Sequence, residues 1–292
     1  MLLAATTDLG VSNPGTGSAS AIWLLLVGLA ATASAGVAFA IIGRLRAGAP
    51  AITPRPHEPV PWNGLDVLQV LALHVVVLAV GLAGLREEDG LAKLIPLEKL
   101  IPLDLIAKLA ATAFSIAYLS ARGASLADLG LAPLRPAADL RIAAAGVALL
   151  VAPLLTLAAL LDAVVPYQHP IIDFMTTHRD PASLALVVLS TVVAAPLAEE
   201  FFFRRVLQGW LEKIFPDGDG RMAVALSAAL FALLHLGQGL AYVPLFPLGL
   251  VLGTIARRTG SIVPCILLHA LFNAVSVALL VWQTAAPALP AG

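Results

Sequence analysis

Residues 184–205 read LALVVLSTVVAAPLAEEFFFRR, an apolar run that ends in two glutamates, three phenylalanines and two arginines. A helix needs roughly 20 mostly apolar residues to cross the hydrocarbon core, and this run is the centre of a candidate span at 182–209. A charged side chain near the middle of a span costs about 2.5–3.5 kcal/mol on an insertion scale. Such side chains face a protein interior or a water-filled cavity. The stretch therefore predicts a membrane helix that carries a polar site.

The composition of the whole chain supports this interpretation. Charged residues make up 12% of the chain, hydrophobic residues 60%, and the mean hydropathy is +0.94. About 25% of the residues are charged in a typical soluble domain, so the surplus apolar surface must face lipid. The net charge of −1 gives no indication of a nucleic-acid partner. We expect an all-α, polytopic transmembrane helix bundle of about eight spans. The candidate spans are 19–43, 66–85, 103–120, 141–165, 182–209, 222–237, 240–256 and 261–283.

The chain is expected to form one membrane domain. Residues 1–181 supply the first four spans, residues 182–283 the last four, and residues 284–292 a short C-terminal tail. The Pro- and Arg-rich segment 44–64 is predicted to be a cytoplasmic linker. The segment 93–104 repeats the pattern Lys-Leu-Ile-Pro-Leu followed by an acidic residue, and charges among apolar residues favour a position along the membrane interface.

The distribution of Lys and Arg residues predicts the orientation of the chain. With the N-terminus outside, cytoplasmic segments hold twelve of these residues and external segments four, while Lys108 lies inside a span. The cytoplasmic set is Arg44, Arg46, Arg55, Arg122, Arg135, Arg141, Arg204, Arg205, Lys213, Arg221, Arg257 and Arg258, and the external set is Arg86, Lys93, Lys99 and Arg179. Both termini are therefore predicted to be outside. A chain rich in Ala and Leu suits a bacterial inner (plasma) membrane.

Three of the last four spans carry polar side chains at helical spacing. In chain order, the motifs supply Glu199, Glu200 and Arg204; Phe231 and His235; and His269 and Asn273. Glu200 and Arg204 are four residues apart and can pair on one helix face, whereas Glu199 is rotated about 100° from that face. His269 and Asn273 share a face in the same way. These side chains could meet in one layer of the membrane.

The three motifs resemble those of the CAAX protease and bacteriocin-processing family of intramembrane glutamic endopeptidases, which includes the type II CAAX prenyl endopeptidases. The family pattern is Glu-Glu-x-x-x-Arg, then Phe-x-x-x-His, then His-x-x-x-Asn, and this chain matches it without a substitution. The resemblance covers roughly residues 182–283. It implies a metal-independent endopeptidase, with no cofactor, that acts on a peptide or membrane-protein substrate from the cytoplasmic side. Whether that substrate carries a lipid stays open.

The resemblance also implies a role for each motif residue. Glu199 and His235 would hold and deprotonate the attacking water, and His269 and Asn273 would stabilise the oxyanion. Glu200 and Arg204 would form a supporting ion pair that orients the fifth helix, although binding of a substrate carboxylate is an alternative for this pair. Phe231 belongs to the supporting set.

Other interpretations of these polar residues stay open. Two histidines and a glutamate can bind zinc, but the sequence contains no His-Glu-x-x-His motif, and Asn273 is a poor zinc ligand, so we expect no metal. The chain could instead be a non-catalytic immunity or scaffold protein, or a proton-coupled transporter that uses the same polar cluster. His74 is interpreted as a packing residue. His57, His169 and His178 lie in predicted loops and receive no role.

Overall fold

The computed structural model describes residues 14–56, 58–85, 95–167, 169–215, 218 and 220–285, and only the backbone of residues 14–23 and 283–285. Within these residues the chain is helical and contains no strand, which confirms the expected all-α class. The helices are α1 (Pro14–Arg46), α2 (Gly64–Gly84), α3 (Leu97–Ala121), α4 (Pro136–Asp162), α5 (Pro170–Thr177), α6 (Pro181–Ile214), α7 (Arg221–Leu233), α8 (Tyr242–Thr259) and α9 (Val263–Ala285). Residues 286–292 of the predicted tail lie outside this part of the chain.

Six helices in the described part of the chain are long and apolar enough to cross a membrane: α1, α2, α3, α4, α6 and α9. The sixth and seventh predicted spans correspond to α7 and α8, which pack against each other as a hairpin. With 13 residues, α7 is about 20 Å long, which is shorter than the hydrocarbon core of about 30 Å. The prediction of about eight spans is therefore roughly correct, with α7 too short to cross alone.

The prediction that residues 222–237 form one helix is wrong at its C-terminal end. The helix ends at Leu233, and residues 234–241 form a series of turns before α8 begins. Gly237 and Gly239 adopt φ values of 96° and 62°, which glycine reaches without the steric penalty of a Cβ atom. The helix ends before this pair of glycines, which allow the chain to turn, so His235 lies beyond α7 rather than inside it.

Helix α6 is one continuous helix with two π-helical segments, at Leu189–Ala194 and Phe201–Leu207. In the first segment, the N–H of Ala195 donates to the carbonyl of Ser190, five residues earlier. Pro196 follows and has no N–H to donate, so the carbonyl of Thr191 has no donor within the helix. π-helical turns are rare and occur frequently at functional sites. Here they lie on either side of Glu199 and Glu200.

The predicted linker 44–64 packs against the last turns of α6. Val60 and Trp62 are buried, and the indole N–H of Trp62 donates to the carbonyl of Val206 at 3.0 Å. The ammonium of Lys213 donates to the carbonyls of Val60 and Trp62 at 3.1 and 2.7 Å. Residues 44–46 of this segment end α1 and residue 64 begins α2, and the contacts of Val60 and Trp62 between them hold one end of α6 in place.

Two predicted connections contain helix. Residues 97–104 of the predicted interfacial segment form the first turns of α3, whereas residues 93 and 94 lie outside the described residues. The predicted loop between the fourth and fifth spans contains α5, whose Phe174 and Met175 are buried against α3, α6 and α9. The interfacial position of residues 93–104 stays a prediction.

Close packing of α7 against α8 depends on glycine, and this dependence can be tested. A Cβ atom added at Gly249 would lie 3.0 Å from Cβ and 3.1 Å from Cα of Ala228. We expect Gly249→Leu to reduce stability by about 1–3 kcal/mol through overpacking. The measurement is the thermal unfolding midpoint in detergent. Unfolding is monitored with a thiol-reactive dye, which labels the buried Cys265 only when the protein unfolds. The control is Gly28→Leu, because nothing lies within 4 Å of a Cβ atom at Gly28; equal midpoints for the two variants would contradict the prediction.

Candidate active site

The centre of the site is a buried ion pair on α6. Nε of Arg204 lies 3.0 Å from Oε2 of Glu200, and both side chains are completely buried. Nη1 of Arg204 also lies 3.4 Å from the hydroxyl of Ser227 on α7, which donates to the carbonyl of Phe203 at 2.8 Å. An ion pair removed from water must regain its lost hydration through hydrogen bonds. Ser227 provides one of them, and no sequence motif indicated this role.

His269 on α9 lies between the two glutamates of α6. Its Nδ1 is 2.8 Å from Oε1 of Glu200, and its Nε2 is 4.0 Å from Oε2 of Glu199. An ionised carboxylate only accepts hydrogen bonds, so Nδ1 of His269 carries the hydrogen of the shorter contact. Glu200 therefore fixes the orientation of the ring and directs Nε2 towards Glu199. The Glu199 side chain is 23% exposed, in contrast to the fully buried Glu200.

The Phe231 ring joins the motif of α7 to the other two. The guanidinium carbon of Arg204 lies 4.7 Å from the centroid of this ring, within the range of a cation–π contact. The rings of His235 and His269 approach it edge-on, with centroids at 5.2 and 5.9 Å. The aromatic side chain therefore separates two histidines that come from different helices.

The end of α7 sets the tautomer of His235. The N–H of His235 donates to the carbonyl of Ala232 instead of the carbonyl of Phe231. The carbonyl of Phe231 is 2.9 Å from Nδ1 of His235, and since a carbonyl only accepts, Nδ1 is the protonated nitrogen. In the neutral ring, Nε2 is then an acceptor. The turn that ends the helix thus prepares His235 to accept a proton.

Asn273 lies one turn after His269 on α9 and is fixed by α6. Its side-chain N–H donates to the carbonyl of Thr191 at 2.8 Å, which is the carbonyl left without a helical donor by Pro196 (see above). Because the carbonyl accepts, the amide nitrogen and not the amide oxygen must point to Thr191. The second hydrogen on that nitrogen is available for another acceptor. Thr191 is a functional neighbour that the sequence motifs did not include.

Arg205 connects α6 to the start of α9 through a turn at residues 127–130. Its Nε donates to the carbonyl of Asp128 and its Nη2 to the carbonyl of Ala127. In the same turn, the carbonyl of Gly130 accepts from the N–H of Ile262 and the hydroxyl of Ser261, at 3.0 and 3.1 Å. The turn therefore fixes the helix that carries His269 relative to the helix that carries the glutamates. A charged residue inside a predicted span was the only sequence signal of this role.

The structure brings the three motifs together. Direct contacts join Glu199 and Glu200 on α6 to His269 on α9. Arg204 pairs with Glu200 and lies over the Phe231 ring, which also contacts His235. Among the described contacts, Glu199 and His235 are linked indirectly: Glu199 contacts His269, His269 contacts Phe231, and Phe231 contacts His235. In the same part of the chain, no three His, Cys, Asp or Glu side chains are grouped to hold a metal ion.

A comparison with protein-family models gave one finding that bears on the site. The model described as type II CAAX prenyl endopeptidase Rce1-like matches residues 181–275. The predicted resemblance to this family is confirmed over these residues. The matched segment runs from the start of α6 into α9, about a third of the chain, and includes all seven motif residues. Comparisons with curated proteins and with solved structures gave no match.

The family match and the apolar helices together support an integral membrane protease with a peptide substrate. The match describes the part of the chain that carries the glutamates and histidines. Helices α1 to α4 lie outside the matched segment and pack around it, with α4 against α9 and α3 against α6. These four helices therefore support the matched segment from two sides.

The buried ion pair gives a stability prediction. Removing one partner of such a pair costs about 3–5 kcal/mol, because the other charge stays buried and unpaired. We therefore expect Glu200→Gln and Arg204→Gln each to lower the thermal midpoint strongly, and the double variant to lower it by less than the sum of the two. Labelling of Cys265 on heating measures the unfolding midpoints of all three variants. The control is Glu58→Gln, at an exposed residue. Strictly additive losses would show that the pair does not act as a unit.

Proposed function

We propose that this protein is a metal-independent intramembrane endopeptidase in which Glu199 and His235 activate the attacking water. The observation that carries the proposal is the position of His269 between two carboxylates, 2.8 Å from Glu200 and 4.0 Å from Glu199. This arrangement gives the two glutamates different tasks. It also directs Nε2 of His269 towards a carboxylate that is partly exposed.

The environments of the two glutamates indicate which one is the base. Both oxygens of Glu200 are engaged, one by Arg204 and one by His269. Among the described residues, the 4.0 Å approach of His269 is the only polar contact of Glu199. A general base must reach the proton that it abstracts, and only Glu199 is free to do so. Glu200 acts through His269 and is a positioning residue.

The chemistry of the proposed reaction follows from these assignments. The water oxygen adds to the scissile carbonyl carbon while Glu199 takes one proton, and Nε2 of His235 accepts a hydrogen bond from the same water. The carbonyl oxygen becomes an oxyanion. When the carbon–nitrogen bond breaks, Glu199 returns the proton to the leaving amine, so the base of the first step is the acid of the second.

Two donors on α9 are proposed to stabilise the oxyanion. Asn273 has a second N–H beyond the one that Thr191 accepts. Nε2 of His269 can donate if both ring nitrogens are protonated, and the carboxylates of Glu199 and Glu200 compensate the charge of that ring. Loss of one such donor typically reduces the rate by about 10²–10³. The two donors lie one helical turn apart.

The substrate in this proposal is a peptide or a membrane-protein segment, with or without a lipid group. The excess of Lys and Arg on one set of loops favours both termini outside and a site reached from the cytoplasm. A bacterial inner membrane is the proposed location. The polar residues of the site belong to helices that are otherwise apolar, which supports hydrolysis within the membrane rather than at its surface.

The first functional prediction concerns the base. We expect Glu199→Gln to reduce cleavage by at least about 10²-fold, in line with the usual contribution of general acid–base catalysis, while the protein stays folded because Glu199 lies outside the buried ion pair. The measurement is cleavage of peptide and membrane-protein reporters in proteoliposomes, with the Cys265 midpoint as the folding control. Glu58→Gln is the matched substitution at an exposed site.

The same variant separates the proposal from the other two interpretations. A folded Glu199→Gln protein that keeps its biological effect would indicate an immunity or scaffold role. Proton-coupled flux in liposomes that is lost in this variant would indicate a transporter. Retained cleavage would remove Glu199 from the mechanism.

A second prediction concerns metal dependence. Because the proposed reaction assigns activation of the water to Glu199 and His235, we expect the cleavage rate to be unchanged after incubation with EDTA or 1,10-phenanthroline and dialysis. The rates before and after treatment are compared on one preparation. Inhibition that is reversed by added Zn²⁺ would show that the metal-free mechanism is wrong.

A further inference from the structure

A second polar cluster lies inside the predicted membrane region, outside the family motifs. The ammonium of Lys108 on α3 lies 2.6 Å from Oδ2 of Asp104, one turn earlier. The hydroxyl of Ser190 on α6 donates to the same carboxylate oxygen at 3.3 Å. The Lys108 and Asp104 side chains are 30% and 42% exposed. We call these three residues the entrance cluster.

Partly exposed charges within a span indicate access to water. Asp104 and Lys108 lie one and five residues after the start of the predicted span 103–120, so Lys108 is about 8 Å along the helix from that boundary. Charged side chains within a membrane span face a bundle interior or a water-filled cavity. Both side chains keep exposed surface, which supports access of water to the entrance cluster.

The entrance cluster adjoins the proposed active site on α6. Ser190 precedes Thr191, whose carbonyl holds Asn273, and the π-helical segment that contains both residues packs against α3. The two neighbouring residues of this segment therefore serve different clusters, Ser190 bonding to Asp104 and Thr191 to Asn273. On α6, the residue that bonds to the entrance cluster and the residue that bonds to Asn273 are therefore adjacent.

His169 lies in an environment that includes the entrance cluster. The His169 ring interacts electrostatically with Lys108, and its Nδ1 accepts the N–H of Ile171 at the start of α5. Burial lowers the pKa of His169 and the charge of Lys108 lowers it further, whereas the carboxylates of Asp104 and Asp173 oppose this shift. The ring is therefore neutral near pH 7.

The turns at residues 234–241 also indicate water on this side. Non-helical backbone at membrane depth is tolerated only where it is buried in protein or lines a water-filled cavity. Gly239 lies against the loop after α4, where an added Cβ atom would be 2.8 Å from the carbonyl oxygen of Pro166. Leu236 and Gly237 are exposed. One side of these turns is thus covered by protein and the other is open.

We propose that the entrance cluster lines a water-filled entrance to the active site, on the side of the bundle that carries residues 163–178, and that Lys108 binds the C-terminal carboxylate of the peptide substrate there. The second half of this inference rests on the proposed peptidase function. Oδ2 of Asp104 accepts two hydrogen bonds, whereas the ammonium of Lys108 has three donors and one described bond. Its other donors suit an anion, and the C-terminal carboxylate is the anion that every unmodified peptide carries.

The water-filled entrance is tested by cysteine labelling, independently of activity. Cys265 is completely buried, so a cysteine introduced elsewhere can be labelled selectively. We expect Lys108→Cys and Asp104→Cys to react with a charged methanethiosulfonate reagent in proteoliposomes. The matched control on the same helix is Ile106→Cys, because Ile106 is 62% exposed and, as an apolar residue of a span, is expected to face lipid, where a charged reagent does not partition. Equal labelling of positions 106 and 108, or no labelling of 104 and 108, would overturn the entrance.

Carboxylate binding is tested in the Glu199→Gln background, where cleavage does not interfere. Dye-labelled peptides are prepared with a free C-terminal carboxylate and as C-terminal amides, and their Kd values are measured by fluorescence anisotropy. We expect the carboxylate form to bind about 10-fold more tightly, because hydrogen bonds to charged groups are worth about one order of magnitude or more. Adding Lys108→Gln should remove this preference, whereas adding Lys99→Gln, at an exposed residue of the same helix, should not.

The outcomes separate the two proposals. Equal affinity for the two peptide forms, absence of binding by both, or a preference that survives Lys108→Gln would overturn the role of Lys108 without affecting the peptidase assignment. Cleavage that survives Glu199→Gln would overturn the proposed mechanism. The labelling pattern would still test the water-filled entrance, and the binding preference would still test the role of Lys108.

Discussion

The arrangement of the site depends on one buried ion pair, between Glu200 and Arg204. Two charges removed from water stabilise a structure only when their geometry is good and their remaining hydrogen-bonding groups find partners. Here the partners come from two helices: His269 on α9 bonds to the glutamate, while on α7 Ser227 bonds to the arginine and the ring of Phe231 covers the guanidinium. The same interactions also place a histidine beside Glu199.

Irregular backbone supplies the rest of the geometry. The π-helical turns and Pro196 leave one carbonyl of α6 without a helical donor, and Asn273 bonds to it. The turn after α7 leaves the carbonyl of Phe231 for the ring of His235. In each case a local break in helical hydrogen bonding selects the orientation of a side chain on the site. Breaks of this kind are expected where function overrides regular structure.

The three motifs and their order were sufficient to predict the family, and the family model confirms it over residues 181–275. The limits of the helices were predicted less well. The sequence pattern placed His235 inside a span because residues 222–237 are mostly apolar, whereas the helix ends before Gly237 and Gly239. The sequence also assigned His169, Ser190 and Thr191 no role, since a single polar residue near an apolar run gives no distinctive pattern.

The sequence by itself determined that the chain lies in a membrane and that it carries the residues of a protease family, because both conclusions depend on composition and on spacing along one helix. Only the tertiary structure decided how the environments of those residues differ. Glu199 and Glu200 are adjacent and chemically identical in the sequence. They differ because α6 turns one towards Arg204 and His269 in a fully buried position and leaves the other partly exposed. That difference arises from contacts among helices that are far apart in the chain.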